Sequence, residues 1–219
     1  IIETNNGAFL MKLAVIGATG WIGSHITSEA IARGHQVNAL VRDASKVTQD
    51  NVTVTEFDLT KDDIATAAAG SDVVIAAIGG RALGNHEIVA NTAKQLLNAL
   101  AGTNTRILWV GGAGSLEVAP GVTLVSSPDF PAEYKAEAIA QGEALDVFRA
   151  SKVDTAWTFV SPAAVIYPGE SEGPYRVGGD SFFTDANGES KISVTDYAKA
   201  MLDEAQSAAH LNQRISIAY

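Results

Sequence analysis

The chain has 219 residues, of which 47% are hydrophobic and 18% are charged, and its formal net charge is −10. A chain of this length and composition can bury the core of one globular domain. The absence of cysteine excludes disulfides, thiolate nucleophiles and cysteine-ligated metals. The acidic balance disfavours duplex nucleic acid, so we expect no nucleic-acid partner.

The first ten residues do not resemble a targeting segment. They lack a basic region followed by an apolar stretch, and no apolar run in the sequence reaches the roughly 18 residues of a membrane-spanning helix. Met11 and Lys12 stand directly before the first predicted strand. We interpret residues 1–10 as a leader or an added extension outside the fold, and residues 11–219 as a single domain. We expect this domain in the cytoplasm, with no membrane partner.

Short apolar segments alternate with longer helical patterns through most of the chain. The apolar segments predict strands over residues 12–16, 36–41, 52–57, 73–78, 106–110 and 155–160. Between them, the spacing of apolar residues predicts helices over 21–32, 62–69, 87–100 and 132–150. This alternation is typical of an α/β protein, and it predicts a Rossmann-type, doubly wound parallel sheet with helices on both faces.

The alternation stops after the sixth predicted strand. Residues 163–190 are rich in Gly, Pro, Ser and Asp, and only then do a helix over 194–208 and a strand over 214–218 follow. We interpret 163–190 as a small C-terminal substrate lobe, because loops on a rigid sheet often carry specificity; a plain surface loop is the alternative. Tyr167 and Tyr175 flank this segment and could stack on a planar substrate, or they could be local packing anchors.

The turn after the first predicted strand has the spacing of a dinucleotide site. Gly17 permits a tight turn, Gly20 lets a phosphate approach the backbone, and Gly23 lets the helix pack closely on the strand. The amides at the helix start face the anion at the favourable end of the helix dipole. We expect the whole turn to bind a nicotinamide dinucleotide, although a merely tight structural turn is the alternative: Gly17, Ala18, Thr19, Gly20, Trp21, Ile22 and Gly23. The ring of Trp21 could cover the cofactor or pack on the sheet.

The residue that follows the second predicted strand bears on the choice of dinucleotide. An acid about 20 positions after the glycine turn would hold the ribose hydroxyls of NAD. Arg42 stands there instead, and a guanidinium can pair with the 2′-phosphate of NADP. Lys46 could add a second positive charge, whereas Asp43 could still serve NAD, and Arg42 could be a solvated surface residue. We favour NADP(H) over NAD(H).

Two further segments are expected beside the cofactor. Asp58 follows the third predicted strand and could reach the adenine amino group, with Leu59 against the ring; an acid that begins the next helix is an equally open alternative. Ligands in open α/β sheets bind at the carboxyl ends of the strands. Small residues at the end of the fourth predicted strand would let the cofactor lie across these ends: Ala77, Ile78, Gly79 and Gly80.

Four segments together carry a family resemblance. They are Met-Lys-Leu-Ala-Val-Ile-Gly-Ala-Thr-Gly at 11–20, Leu-Val-Arg-Asp at 40–43, Trp-Thr-Phe-Val-Ser-Pro at 157–162 and Lys-Ile-Ser-Val-Thr-Asp-Tyr at 191–197. Over nearly all of residues 11–218 the chain resembles the NmrA-like branch of the atypical short-chain dehydrogenases. More narrowly, it is similar to bacterial proteins provisionally named NADH-flavin reductases, which are related to biliverdin reductase B. The resemblance implies the same cofactor-binding segments and places Ser161 and Pro162 near the nicotinamide.

The sequence departs from this family group at the catalytic positions. Typical short-chain dehydrogenases use a Tyr-x-x-x-Lys pair, but Tyr134 is followed four residues later by Ala138. Biliverdin reductase relatives have a histidine after the proline of the sixth strand, where this chain has alanine at 163 and 164. Ser115 could supply a hydroxyl beside the nicotinamide or be a turn residue, and Tyr134 is the other weak catalytic candidate. The four histidines show no metal-ligand spacing, so we expect no metal.

The resemblance and the missing pair together predict an NAD(P)H-dependent reductase that transfers hydride to a small planar electron acceptor, with FMN or FAD as the first candidate substrates. Hydride passes between stacked rings at roughly 3–3.5 Å, so positioning supplies most of the catalysis, and solvent can protonate the product. Two alternatives stay open: a non-catalytic NADP(H)-binding redox sensor of the NmrA-like type, and another atypical reductase or epimerase with an unusual donor. The sequence leaves the oligomeric state open.

Overall fold

The computed structural model describes residues 2–3, 9–81 and 84–219. In chain order the strands are β1 (Ile2–Glu3), β2 (Phe9–Leu10), β3 (Lys12–Ile16), β4 (Gln36–Val41), β5 (Thr53–Glu56), β6 (Val73–Ala76), β7 (Arg106–Val110), β8 (Glu117–Ala119), β9 (Val122–Thr123), β10 (Trp157–Pro162), β11 (Val165–Tyr167), β12 (Arg176–Gly178), β13 (Lys191–Ser193) and β14 (Gln213–Ala218). The helices are α1 (Trp21–Ala32), α2 (Ile64–Ala67), α3 (Glu87–Ala99), α4 (Ala132–Ala150) and α5 (Val194–Ser207).

The central sheet has eight strands in the order β12-β14-β10-β7-β6-β3-β4-β5. All neighbouring pairs are parallel except β12 with β14. Within the central sheet, β3 is the first strand in the chain. The chain then adds β4 and β5 on one side of β3, and it returns to add β6 on the other side. The predicted Rossmann-type, doubly wound fold is therefore confirmed, and its topological switch point lies between β3 and β6.

Every residue of β6, β7 and β10 is buried, as expected for parallel strands covered on both faces. Successive side chains of a strand point to opposite faces. On one face, Val15 packs in a core with Ile26 of α1 and Tyr197 of α5. On the other face, Ile16 packs in a core with residues of α2, α3 and α4. The sheet thus separates two helical layers.

Several predicted elements differ from the structure at their ends. The predicted helix over 62–69 is only Ile64–Ala67, because the side chain of Asp63 accepts a hydrogen bond from the Thr66 amide and starts the helix there. The predicted strand over 73–78 ends at Ala76, so residues 77–80 form a loop at the carboxyl end of this interior strand. The predicted strand over 155–160 instead runs from Trp157 to Pro162.

The segment over 163–190 is partly built into sheets. Strand β11 pairs in parallel with β13, and β12 adds to the edge of the central sheet beside β14. These pairings supply hydrogen-bond partners for the backbone groups of β11 and β12. The low periodicity of the sequence gave no reason to expect strands here. The segment therefore carries two short strands rather than only irregular loop.

At the start of the described chain, β1 and β2 form a short antiparallel pair. Residues 1 and 4–8 of the predicted leader lie outside the described residues, and its role as a dispensable segment stays a prediction. Within the described ranges, no helix combines the length and apolar character needed to cross a lipid bilayer.

Candidate functional site

A cavity of about 950 Å³ opens at the carboxyl ends of the central strands. The first wall combines the glycine turn with the loop after β6, and the second wall combines the loops after β7 and β10 with the start of α4. The residues that line the cavity are Gly20, Trp21, Ile22, Gly23, Ala77, Ile78, Gly79, Arg81, Val110, Gly111, Gly112, Ala113, Gly114, Leu124, Ser127, Asp129, Phe130, Pro131, Tyr134, Glu137, Ala138, Gln141, Pro162, Ala163, Ala164, Val165 and Ile166. The cavity therefore lies where open α/β sheets bind their ligands.

The glycine turn is closed to side chains at two of its three glycines. Gly17 has a φ of +81°, and a Cβ atom there would lie 2.1 Å from the carbonyl oxygen of Ala77. A Cβ atom on Gly23 would lie 2.1 Å from the carbonyl oxygen of Gly17. Both positions therefore need glycine, one for the left-handed turn and one for the close approach of α1 to the strand end.

Gly20 stands directly before α1 and places no side chain over the first amides of this helix. Its φ of −72° and ψ of 163° are extended, and no side chain in the described part of the chain caps this helix end. The first N–H groups of a helix have no partner within the helix, so they can bind an anion. Of the remaining turn residues, Ile22 lines the cavity, Ala18 is buried in the core and Thr19 is exposed.

Trp21 stands at the mouth of the cavity rather than in the core. Its side chain is 45% exposed, and the ring meets the edge of His25 with 6.5 Å between centroids. The sequence left two places open for the ring of Trp21. In the structure the ring lies beside the proposed cofactor space and does not pack on the sheet.

Arg42 follows β4 as an exposed residue, and no ion pair joins it to the residues that the structure describes. Asp43 is engaged locally: its carboxylate accepts hydrogen bonds from the amide of Ser45 at 3.1 Å and its hydroxyl at 2.6 Å. These bonds lower the pKa of Asp43 below its ordinary value. Lys46 lies 3.6 Å from Asp43 and is largely exposed. Arg42 is thus the basic group that is free of local carboxylates here.

Asp58 is held in its own turn. Its carboxylate accepts hydrogen bonds from the amide and hydroxyl of Thr60 at 2.9 and 2.7 Å, and it pairs with Lys61 at 2.8 Å. The bonds from Lys61 and Thr60 hold the pKa of Asp58 well below its usual range. This is the geometry of an acid that closes a turn, and helix α2 begins later, at Ile64, with Asp63 at its start. Leu59 packs against the core of the α2 and α3 face, and the adenine roles of both residues stay predictions.

The loop after β6 is braced by a carboxylate that sequence reasoning missed. Glu137 of α4 accepts hydrogen bonds at Oε2 from the amides of Gly80 and Arg81, at 2.9 and 3.0 Å, and from Nδ1 of His86 at 3.2 Å. Its other oxygen accepts a bond from Nε2 of Gln141 at 3.2 Å. The only sequence signal was the i, i+3 and i, i+4 spacing of Tyr134, Glu137 and Gln141 on one helix face.

Gln141 connects this carboxylate to the core. Its Nε2 also donates to the carbonyl oxygen of Ile78 at 3.1 Å, and its Oε1 accepts a hydrogen bond from the indole of Trp109 at 3.0 Å. Trp109 is fully buried in β7. Because the indole can only donate, it fixes the orientation of the Gln141 amide.

The second wall is largely apolar, with aromatic rings near its mouth. Tyr134 is 48% exposed, and the guanidinium of Arg81 lies 4.6 Å from the centre of its ring. Phe130, Leu124 and Ile166 also line the cavity. The position four residues after Tyr134 is the buried Ala138, so no lysine stands where the usual proton-donor pair would have one.

The hydroxyl groups of Ser115 and Ser161, which were expected beside the nicotinamide, lie near β14 and do not line the cavity. The guanidinium of Arg214 lies 3.5 Å from Oγ of Ser115 and 3.4 Å from Oγ of Ser161. Asp180 holds this buried guanidinium at 2.6 Å. Pro162, the neighbour of Ser161, does line the cavity.

The two predicted substrate tyrosines are engaged outside the cavity lining. The hydroxyl of Tyr167 donates to Glu172, and that of Tyr175 donates to Asp203 of α5. Burial and these hydrogen bonds raise the pKa of both hydroxyls. From the same segment, Val165 and Ile166 reach the cavity instead. Sequence composition could not separate these neighbours, because which of them reaches the cavity depends on how β11 is placed beside β13.

No cluster of three or more metal-ligating side chains occurs among the described residues. The candidate site has backbone amides at the start of α1 and an apolar wall formed by residues such as Leu124, Phe130 and Ile166.

Comparison with known families and relatives gives consistent matches. Residues 17–208 match the sequence model of a family described as NAD(P)H-binding. The uncharacterized protein YwnB of Bacillus subtilis is 41% identical over 215 residues, which cover 94% of this chain and 98% of that protein.

Two solved structures are similar over almost their whole length. A Streptococcus pneumoniae protein, provisionally named an NADH-flavin reductase, is 38% identical with a TM-score of 0.88, and 95% of this chain and 99% of that one are covered. A Burkholderia pseudomallei protein, provisionally named an exported protein, is 42% identical with a TM-score of 0.86, and 96% and 100% are covered.

Proposed function

Because the chain belongs to the NAD(P)H-binding family, within the NmrA-like group of atypical short-chain dehydrogenases, we propose that it is an NADPH-dependent reductase of planar electron acceptors, with FMN or FAD as the first substrates to test. The observation that carries this proposal is one cleft that holds both an apolar wall and a helix start whose amides have no side-chain cap among the described residues, with alanine four residues after Tyr134 where the usual pair has lysine.

The dinucleotide half of the cleft supports binding through the backbone. The open amides at the start of α1 suit a pyrophosphate, and Gly20 places no side chain beside them; a Cβ atom there would lie in a tight contact, 3.2 Å from the carbonyl oxygen of Gly17. Residues 77–79 and Pro162 line the part of the cavity between these amides and the second wall. Bound NADPH would supply the hydride, and the chain would hold the nicotinamide end against that wall.

The acceptor half of the cleft suits a flat, apolar ring system. Leu124, Phe130, Tyr134 and Ile166 contribute apolar surface at this end. Such a wall can exclude water and hold an acceptor ring parallel to the nicotinamide, which is the arrangement that hydride transfer needs. A reduced flavin or quinone can take its proton from solvent, so the absence of a lysine four residues after Tyr134 does not block this chemistry.

Arg42 supports a preference for NADP over NAD. Its guanidinium is exposed at the end of β4, while the neighbouring Asp43 is occupied by Ser45. A phosphate on the ribose would gain a charge-assisted hydrogen bond from Arg42, whereas the ribose diol of NAD would lack a free acidic partner.

We further expect the reductase in the cytoplasm. Fractionation of cells that express the full chain tests this expectation.

The test is steady-state oxidation of NADPH and NADH by the purified full chain, with FMN, FAD, quinones and simple carbonyls as acceptors. We expect saturable flavin reduction with NADPH favoured. Gly20→Val should abolish binding and turnover, because its side chain occupies the space for the pyrophosphate; a circular dichroism spectrum like that of the wild type would show that this variant is folded. Tight NADPH binding with no oxidation across the panel would instead favour the redox-sensor function.

A further inference from the structure

Glu137 joins α4 to the loop that follows β6. Its carboxylate takes four hydrogen bonds, from the backbone amides of Gly80 and Arg81 and from the side chains of His86 and Gln141. These partners come from the loop, the residue before α3, and α4 itself. Because Glu137 also lines the cavity, one side chain both shapes this wall and fixes the loop beside it.

The contact leaves the loop little freedom. A Cβ atom on Gly79 would lie 2.8 Å from Oε1 of Glu137, and one on Gly80 would lie 2.4 Å from the carbonyl oxygen of Asn85. The loop backbone is thus packed between the carboxylate on one side and residue 85 on the other. Replacing Glu137 by a smaller residue would remove the hydrogen bonds that hold two successive loop amides.

A charged carboxylate suits this position better than an amide. The two backbone amides and the NH₂ group of Gln141 can only donate, the His86 ring donates when its Nδ1 carries the proton, and an ionised carboxylate is an acceptor at both oxygens. The Gln141 amide cannot reverse to accommodate a donor, because Trp109 donates to its Oε1 and its Nε2 donates to the carbonyl of Ile78. A glutamine at 137 would therefore keep one acceptor and turn its NH₂ group toward another donor.

We propose that Glu137 is a positioning residue for the dinucleotide: it holds residues 79–81 in the conformation that the bound cofactor requires. The turnover part of this inference rests on the proposed reductase function, whereas the binding part rests only on NAD(P)H binding. Glu137 acts through the loop backbone, so its loss affects the cofactor more than it affects the overall fold.

The experiment compares Glu137→Ala and Glu137→Gln with the matched control Glu143→Gln, an exposed carboxylate on the same helix. NADPH affinity is measured by titration calorimetry, and the exchange of the Gly80 and Arg81 amides is followed by NMR in the full chain. We expect Glu137→Ala to weaken NADPH binding at least tenfold and to accelerate exchange of both amides. Glu137→Gln should fall between this variant and the wild type, and Glu143→Gln should stay within twofold.

Kinetics separate positioning from a purely structural role. With a flavin acceptor, Glu137→Ala should raise the KM for NADPH more than it lowers kcat. A lower melting temperature with unchanged NADPH affinity would overturn the proposal, as would unchanged amide exchange. If the wild type binds NADPH but reduces no acceptor, the reductase function fails, and the affinity and exchange measurements still decide the role of Glu137.

Discussion

The carbonyl oxygen of Gly17 lies 2.1 Å from where a Cβ atom on Gly23 would stand, but 3.2 Å from a Cβ atom on Gly20. Two glycines of one turn therefore have different tasks. We expect Gly23→Ala to cost about 1–3 kcal/mol of stability, because backbone atoms must move to relieve the overlap. Urea unfolding followed by circular dichroism measures this cost.

Gly20→Ala should separate binding from stability. Its extended backbone allows alanine, and the Cβ contact with the Gly17 oxygen is tight but far longer than that at Gly23, so we expect a smaller stability loss than in Gly23→Ala. We expect weaker NADPH binding because the methyl group stands beside the open helix amides. Calorimetric titration measures the affinity. Equal stability losses in Gly20→Ala and Gly23→Ala would contradict this division of roles.

Arg42→Ala tests the preference for NADP. We expect NADPH binding to weaken by roughly 1.5–3 kcal/mol, the scale of a charged hydrogen bond, while NADH binding barely changes. Lys46→Ala should have a smaller effect, since Lys46 is 70% exposed and pairs with Asp43. Affinities for both dinucleotides come from titration of the two variants. An equal loss for NADPH and NADH in Arg42→Ala, or no loss, would remove the 2′-phosphate role.

Tyr134→Phe tests whether a tyrosine proton matters. The variant keeps the ring under Arg81 and removes only the hydroxyl. We expect flavin reduction to stay within a few fold, because no general acid worth about 10²–10⁴ in rate is removed. Steady-state kcat with NADPH and FMN measures the effect. A loss of a hundredfold or more would keep the enzyme but refute catalysis without a protein proton donor.

Asp196 gives a prediction about pH and stability. Burial opposes its ionisation, but hydrogen bonds from Ser171, Tyr219 and the Glu172 amide lower the pKa of Asp196 to about 2, below its ordinary 3.8. A lowered folded-state pKa stabilises the fold above the unfolded value, and this contribution is lost as the pH falls through the folded value. Asp196→Asn should thus be less stable than the wild type at neutral pH.

The stability difference between the wild type and Asp196→Asn should shrink as the pH falls from 3.8 toward 2. Urea unfolding across this range measures it, with Asp146→Asn as the control, since Asp146 is exposed on α4. A difference that stays constant down to pH 2 would mean that the charge of Asp196 does not carry the effect.

Removal of residues 1–10 tests the leader prediction. A chain that begins at Met11 should keep its melting temperature and its NADPH affinity, because the glycine turn and all strands of the central sheet follow residue 10. Leu10 is half-buried and lies near Gly34, so a small change in melting temperature is compatible with the prediction. A large drop in either quantity would show that the leader belongs to the fold.

Much of the fold could be predicted because its signals are local. Buried parallel strands are continuous apolar runs, as in β6 and β7, and these runs alternate with helical patterns. The predicted ends of strands and helices were less accurate, because side chains such as Asp63 decide where an element begins through single hydrogen bonds. The pairing of β11 and β12 could not be predicted, because each strand has only three residues and lies in a segment without an apolar pattern.

The sequence by itself determined the glycine turn, because Gly17, Gly20 and Gly23 lie in one segment whose spacing sets the geometry. Only the tertiary structure decided the rest of the site. The carboxylate of Glu137 accepts a hydrogen bond from the Gly80 amide across 57 positions of sequence, and the guanidinium of Arg214 lies 3.5 Å from the hydroxyl of Ser115 across 99 positions. Such contacts depend on how helices and strands pack, and the spacing of residues along the chain carries no record of that packing.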